Sequence, residues 1–301
     1  LRIFGKRRFV VLAFSLLVLF WGSAFAVVKI GLDYSPPVLF AGLRILIGGL
    51  AMVIAAVLWG GSPDLRRDWP VFLLLAALNA ILFVGLQTYA ILYLPSGSAA
   101  VLVYLQPILV GVLAWLILGE PLSAAKLVGL LLGFSGIVAV SMESILGGTN
   151  AIPVVGVIFG ASSALFWALG TVYFKKYEAR VSTLWAVALT FLVGGIVLTA
   201  LGLLVEGWRG VSWTWEFVAS LLYSGLVGIS LAWVIWFALV RAGEASRVAA
   251  YIFAVPLTAV LIGVVFLDEP LGYPLLIGAA LVVSGIYLVN REPRLAKDGA
   301  D

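Results

Sequence analysis

The chain has no cysteine and no histidine among its 301 residues. Those two absences remove disulfides, thiolate nucleophiles, haem ligation and the common zinc and iron sites together. With histidine goes the usual proton shuttle near neutral pH. Charge is scarce as well. Asp, Glu, Lys and Arg make up 11% of the chain, against about 25% in soluble domains. No Asp or Glu falls in the middle of an apolar stretch, so the sequence lacks a buried carboxylate relay. No polar stretch is long enough for a water-soluble catalytic domain, the longest lying near 60–70, 143–152, 206–215 and after Val289.

What is present is apolar. Hydrophobic residues reach 64%, and at roughly 20 residues per membrane span the apolar runs leave room for about ten helices. They fall at about 9–30, 36–59, 71–92, 96–118, 124–142, 153–174, 182–205, 215–239, 246–267 and 273–290. The breaks between them carry turn chemistry, as in Ser35-Pro36-Pro37, Gly60-Gly61-Ser62-Pro63, Gly119-Glu120-Pro121 and Asp268-Glu269-Pro270. The first run follows Arg2, Lys6, Arg7 and Arg8 and passes Ala24-Phe25-Ala26, which imitates a secretory signal. It continues through Val27, Val28 and Ile30, long enough to span, and reads as the first helix.

The net charge of +4 does not point to nucleic acid, because the basic residues sit in short loops beside the spans. There they set orientation. With the N-terminus inside, 15 of the 18 basic residues share that side, Arg66, Arg67, Lys175, Lys176 and Arg180 among them. Only Lys29 and Arg209 fall opposite, and Arg44 lies within a span. The expectation is a multi-pass protein of the inner (plasma) membrane with both termini cytoplasmic.

The chain also repeats itself. Pro107 leads to Glu120-Pro121-Leu122, and Pro256 leads at the same spacing to Glu269-Pro270-Leu271. Phe20-Trp21 with Gly48-Gly49 recurs, at a constant offset of 146 residues, as Phe166-Trp167 with Gly194-Gly195. Five spans per half start the second half on the opposite side of the membrane, which inverts one repeat relative to the other. Inverted repeats of this kind build transporters with a site at the interface of the halves. The expected fold is therefore an all-α integral membrane protein of ten transmembrane helices, in two inverted five-helix repeats (9–142 and 153–290) around a central cavity.

Several residues are candidates for contact with a small-molecule substrate. On the third span Asn79, Phe83 and Gln87 share one face at helical spacing. Amides at that depth serve a wet cavity or act as inter-helix glue, and both readings stand. Trp21 and Trp167 lie mid-span at repeat-equivalent places, suited either to stacking on a solute or to packing. Trp233 belongs to a stripe with Tyr223, Ser230 and Phe237 that faces the cavity or a neighbouring helix. Tyr104 and Tyr251 precede Pro107 and Pro256, which are expected to kink their helices as hinges or as passive bends. Arg44 is the only charge well inside a span, and a structural or gate-adjacent role is the favoured reading. Glu120 and Glu269 read as turn and cap residues. No catalytic residue, cofactor or metal site is expected, and Gly129 with Gly133 suits internal packing and a dimer alike.

These residues resemble the drug/metabolite transporter superfamily, specifically its ten-span EamA-type exporters. The resemblance rests on Phe20-Trp21-Gly22, Lys29, Arg44, the two Pro-to-Glu-Pro-Leu stretches, and Gly133, Gly136, Gly278 and Gly285. It implies a basket in which spans 1, 3, 4, 6, 8 and 9 surround the cavity, with 2 and 7 outside and 5 and 10 apart. It also implies export of small metabolites by alternating access, with the aromatic amino-acid exporters as the nearest subgroup. The alternatives are other drugs or metabolites of the superfamily, a polytopic membrane enzyme, or a structural membrane protein.

Overall fold

A computed structural model describes residues 7–94, 96–140, 153–258 and 273–291. The described residues are helical apart from short connections. In chain order they form α1 (Arg7–Leu32), α2 (Pro37–Trp59), α3 (Leu65–Tyr93), α4 (Ser96–Val103 continued by Gln106–Leu118) and α5 (Ala124–Val140). Then come α6 (Val154–Tyr177), α7 (Thr183–Val205), α8 (Trp215–Ala242), α9 (Ala245–Thr258) and α10 (Tyr273–Asn290). Among the described residues seven of these are long and apolar enough to cross a membrane, and α5, α9 and α10 are shorter apolar helices. The protein is an all-α polytopic membrane protein.

Local chemistry sets the helix ends. Pro37 occupies the first turn of α2, where its missing N–H is no loss. Asp64, Ser182 and Thr214 accept from the backbone N–H of Arg67, Trp185 and Phe217, capping α3, α7 and α8. Gly119 ends α4 in the left-handed conformation, φ 71°, open to glycine at no steric cost. Glu120, just beyond, accepts from the N–H of Ala245 (2.6 Å) and Ser246 (3.1 Å), so it caps α9 from across the molecule. Its sequence counterpart Glu269 lies outside the described residues.

The most extensive helix–helix packing joins α2 to α7 and α5 to α10. Glycine makes both possible. A methyl group on Gly49 would sit 2.3 Å from the Leu192 nitrogen, and one on Gly195 would sit 2.5 Å from the Leu46 Cα. In the second pair, a methyl on Gly129 would meet the Gly285 carbonyl at 2.8 Å, and one on Gly285 the Gly133 nitrogen at 2.5 Å. Such close backbone approach is how helices associate where lipid removes the hydrophobic drive. Gly129 and Gly133 are thereby used inside the chain. The outward faces stay apolar: Ile54 and Val57 of α2 and Leu204 of α7 are exposed, and Trp59, Trp208, Trp213 and Trp215 lie exposed near helix ends.

Among the described residues four interruptions break the helical regularity. α3 widens into a π-helical segment at Ala76–Leu82, and α8 does so at Ser224–Leu231. α4 breaks at Tyr104 and Leu105 just ahead of Pro107, and α9 tightens into a 3₁₀ turn at Tyr251–Phe253 ahead of Pro256. Irregular backbone thus stands ahead of each of the two prolines.

Candidate functional site

Between α1, α2, α3, α4, α6 and α8 lies a cavity of about 50 Å³. Its wall includes Trp21, Phe83, Gln87, Tyr104, Trp167, Trp233 and Arg44, with Gly228 and Ile229 from the wide turn of α8. Space of that size holds about three or four waters. The aromatic side chains fill the rest by packing on one another. Phe83 stacks on Trp167 with ring centres 4.8 Å apart, and Trp21 meets Trp167 edge-on at 5.3 Å. Trp233 stands 5.9 Å from Trp21 and 6.0 Å from Phe83, and edge-on to Phe191 at 4.9 Å. These separations fall in the favourable range for offset and edge-to-face aromatic pairs.

Polar bonds fix the box. The Trp21 indole donates to the Gly228 carbonyl, in the wide turn of α8, at 3.2 Å. Gln106 donates to Thr171 Oγ1 at 3.3 Å, and Thr171 donates to the Trp167 carbonyl at 2.9 Å, tying the α4 break to α6 beside Trp167. Ser230 donates to the Gly48 carbonyl at 2.9 Å and locks α8 to α2. The Trp167 indole nitrogen is buried without a hydrogen-bond partner, as are Nε and Nη2 of Arg44.

Six sequence candidates, Trp21, Phe83, Gln87, Tyr104, Trp167 and Trp233, come together around this cavity. Two do not line it. Asn79 is fully buried against α6, where Gly170 makes room: a methyl there would lie 2.2 Å from the Asn79 Oδ1. Asn79 lies in the π-helical segment about one turn from Phe83, at a depth where α3 packs on α6. Tyr251 stacks on Phe14 of α1 at 4.1 Å. Pro107 is buried at the start of the second half of α4, and Pro256 is buried in α9.

Arg44 departs from the sequence expectation. Span 2 was expected outside the cavity, yet α2 reaches it through this side chain, which is 5% exposed. The close glycine contacts of α2 with α7 and α8 carry it inward: a methyl on Gly48 would lie 2.6 Å from the Gly225 carbonyl. No spacing in the sequence signals this, because it depends on which face of α2 the glycines pin.

A second, larger cleft of about 700 Å³ opens at the ends of α4, α6 and α8, lined by Glu120, Lys175, Lys176 and Glu244. Several of its charges are already satisfied. Lys126 bonds Glu244 and Ser246, both at 2.9 Å, Arg247 bonds Glu244 at 2.9 Å, and Lys175 bonds Glu178 at 3.0 Å. Burial pushes the Glu244 carboxyl up, but the hydrogen bonds and charges of Lys126 and Arg247 outweigh it and hold Glu244 below the usual carboxylate range. This shallow, ion-paired cleft is a helix-end junction, and the less open aromatic cavity is the stronger ligand site.

The EamA-like transporter family model matches residues 8–142 and again 154–291. The chain belongs to the EamA-like transporter family. It is 43% identical to the uncharacterized transporter YvbV of Bacillus subtilis over 289 residues, covering 96% of this chain and 94% of that one. It is 29% identical to a Salmonella typhimurium protein named "Probable amino-acid metabolite efflux pump", covering 91% of this chain and 92% of that one. A solved crystal structure superposes with a TM-score of 0.79 at 23% identity, covering 95% of this chain and 97% of the other, a likeness of fold alone. As a member of the EamA-like family the protein is a membrane-embedded transporter of small molecules and not an enzyme. Among the described residues no group of three or more acidic side chains is placed to hold a metal ion.

Proposed function

We propose that this transporter exports amino acids or related metabolites with aromatic or otherwise apolar side chains, by alternating access. The observation that carries the reading is the cavity wall itself. Trp21, Phe83, Tyr104, Trp167 and Trp233 converge from five helices and offer flat apolar faces with few polar groups. Such a wall binds by stacking and dispersion, and favours solutes with a ring or branched chain. The similarity to the Salmonella protein named as an amino-acid metabolite efflux pump supports the same class.

In this proposal residues 9–142 and 153–290 are inverted repeats, and the two-fold family match supports that division. The basic residues put both termini in the cytoplasm of a cell whose inner (plasma) membrane holds the protein. The kinks before Pro107 and Pro256 are the gates. Purified protein in liposomes loaded with unlabelled amino acid should accumulate labelled aromatic amino acids by counterflow. Accumulation of other metabolites with no aromatic or apolar preference would overturn the substrate class. No counterflow across a broad metabolite panel would overturn transport of this class. Cysteines placed at Gly210 should be labelled from outside intact cells and those at Asp64 only from inside, and the reverse pattern would overturn the orientation.

A further inference from the structure

Arg44 is the only charged side chain among the described residues lining the cavity. It is 5% exposed, and its Nε and Nη2 are both buried with no hydrogen-bond partner. None of the ion pairs among the described residues includes it. Glu206, which packs at the start of the same helix, is already engaged: its two oxygens accept from the backbone N–H of Val38 (3.1 Å) and Leu39 (2.9 Å). A guanidinium does not shed its proton at physiological pH. A full positive charge therefore sits against an apolar cavity with nothing in the described protein to balance it. Such a charge is disfavoured unless a partner arrives.

The two free nitrogens also define the shape of that partner. Nε–H and Nη2–H lie along one edge of the planar group, the edge that takes two oxygens of an oxyanion at once. A phosphate dianion would leave one negative charge unmatched among indole and phenyl rings, whereas a carboxylate is neutralised by this one arginine. The described lining holds no acidic side chain, so an ammonium group finds no ionic partner there.

We infer that Arg44 is the anion anchor of the transport site and that the substrate is a monocarboxylate with an apolar body. The carboxylate pairs with Nε and Nη2 of Arg44, and the body lies against Trp21, Phe83, Trp167 and Trp233. An α-amino group is tolerated without being recognised. Deaminated or N-acylated relatives of an apolar amino acid therefore bind at least as well as the amino acid. This inference rests on the proposed transport function and narrows its substrate class. The cavity of about 50 Å³ has to widen to take such a body.

The test compares matched pairs, an aryl or branched-chain carboxylate with its primary amide, in wild type, Arg44→Met and Arg44→Lys. Binding is read by tryptophan fluorescence in detergent, and transport by counterflow in liposomes of neutral lipid. Wild type should prefer carboxylate to amide at least tenfold. Arg44→Lys keeps the charge without the two-pronged edge and should retain a reduced preference. Arg44→Met should bring the ratio close to one. It should fold at least as well as wild type, since an apolar side chain replaces an unpaired buried charge. Carboxylate binding that depends on Arg44 without any counterflow would sustain the anchor and remove the transport reading. Transport that prefers amides or amines, or a carboxylate preference that survives Arg44→Met, overturns the anchor. So does an Arg44→Met variant that alters stability in anionic vesicles alone and leaves the preference intact, for lipid phosphate would then be the partner.

Discussion

The α2–α7 contact makes a quantitative demand on Gly195. Alanine there would place its methyl 2.5 Å from the Leu46 Cα, 2.6 Å from the Leu46 nitrogen and 2.8 Å from the Leu46 Cβ. Ordinary carbon contacts lie at about 3.5–4.0 Å, so the two helices must part by roughly 1 Å. Backbone atoms cannot swing aside as a flexible side chain would. Separation of that size forfeits about a quarter to a half of the dispersion between the facing surfaces. Overpacking of this kind costs about 1–3 kcal/mol. Gly85 provides the control, because a methyl there finds nothing nearer than 3.8 Å, at a Leu198 methyl. Gly85→Ala should be neutral or gain up to about 1 kcal/mol from helix propensity. Both variants can be followed by equilibrium denaturation in detergent micelles with tryptophan fluorescence. Gly195→Ala as stable as wild type, or Gly85→Ala equally weakened, would refute backbone contact as the source of α2–α7 cohesion. Gly49→Ala tests the same interface from the other helix, since its methyl would lie 2.3 Å from the Leu192 nitrogen. One parting of the helices relieves both intrusions, so the double variant should lose less than the two single losses combined.

Three further outcomes are expected. Trp21→Ala or Trp167→Ala should weaken transport of aromatic solutes more than of small aliphatic ones, by about 0.5–1.5 kcal/mol or roughly 2- to 13-fold per lost aromatic pair, and equal losses across a substrate panel would return these residues to packing alone. Pro107→Ala and Pro256→Ala restore a backbone donor beside the breaks of α4 and α9, and should slow exchange between states, read as changed cysteine-labelling rates from opposite membrane faces with and without substrate; labelling at wild-type rates in both would make the kinks passive. Because Glu244 is held below its ordinary value of 4.5, its pairing with Lys126 and Arg247 contributes stability that is present above that value and lost as pH falls through the lower folded one. Thermal stability of Glu244→Gln measured from about pH 6 down to about pH 3 should therefore lie below wild type at the upper end and converge with it at the lower, and a constant gap would show that the carboxylate's titration plays no part.

The helices were legible because their ends carry chemistry independent of tertiary structure. Proline at 36 and 37 and glycine at 60 and 61 mark the limits of α2, and the expected span 36–59 stands as Pro37–Trp59. The same holds where Ser182 caps α7 and Gly119 closes α4. The aromatic wall was partly legible too, since Trp21 and Trp167 stand mid-span at repeat-equivalent places and Phe83 and Gln87 share one face of α3. Asn79 was harder to place. Helical spacing assigns a residue to a face but not the neighbour that this face meets at each depth, and at Asn79 the neighbour is Gly170 of α6. Arg44 was harder still. Its helix was expected outside the cavity, and only the glycine contacts of α2 with α7 and α8 turn the guanidinium inward.

The four backbone irregularities among the described residues lie at or near the candidate cavity, a fact independent of any side-chain preference. In a bilayer, departures from regular helix persist only where other protein groups or a polar cavity take up the freed carbonyls and amides. The wide turn of α8 gives one carbonyl, that of Gly228, to the Trp21 indole, and brings Gly228 and Ile229 to the cavity wall. The wide turn of α3 ends directly before Phe83, which lines the same cavity. The break of α4 leaves Tyr104 on the wall, with Gln106 tied to Thr171 just behind it. The wide turns begin at residues 76 and 224 and the breaks lie ahead of Pro107 and Pro256, so each half of the chain contributes one of each kind. Two of the four place residues on the cavity wall, a third ends one residue before Phe83, and the fourth sets Tyr251 against Phe14 of the helix that carries Trp21. Irregular backbone and aromatic lining, two features with separate physical origins, thus converge on one place, and that convergence favours a ligand cavity over a merely well-packed core.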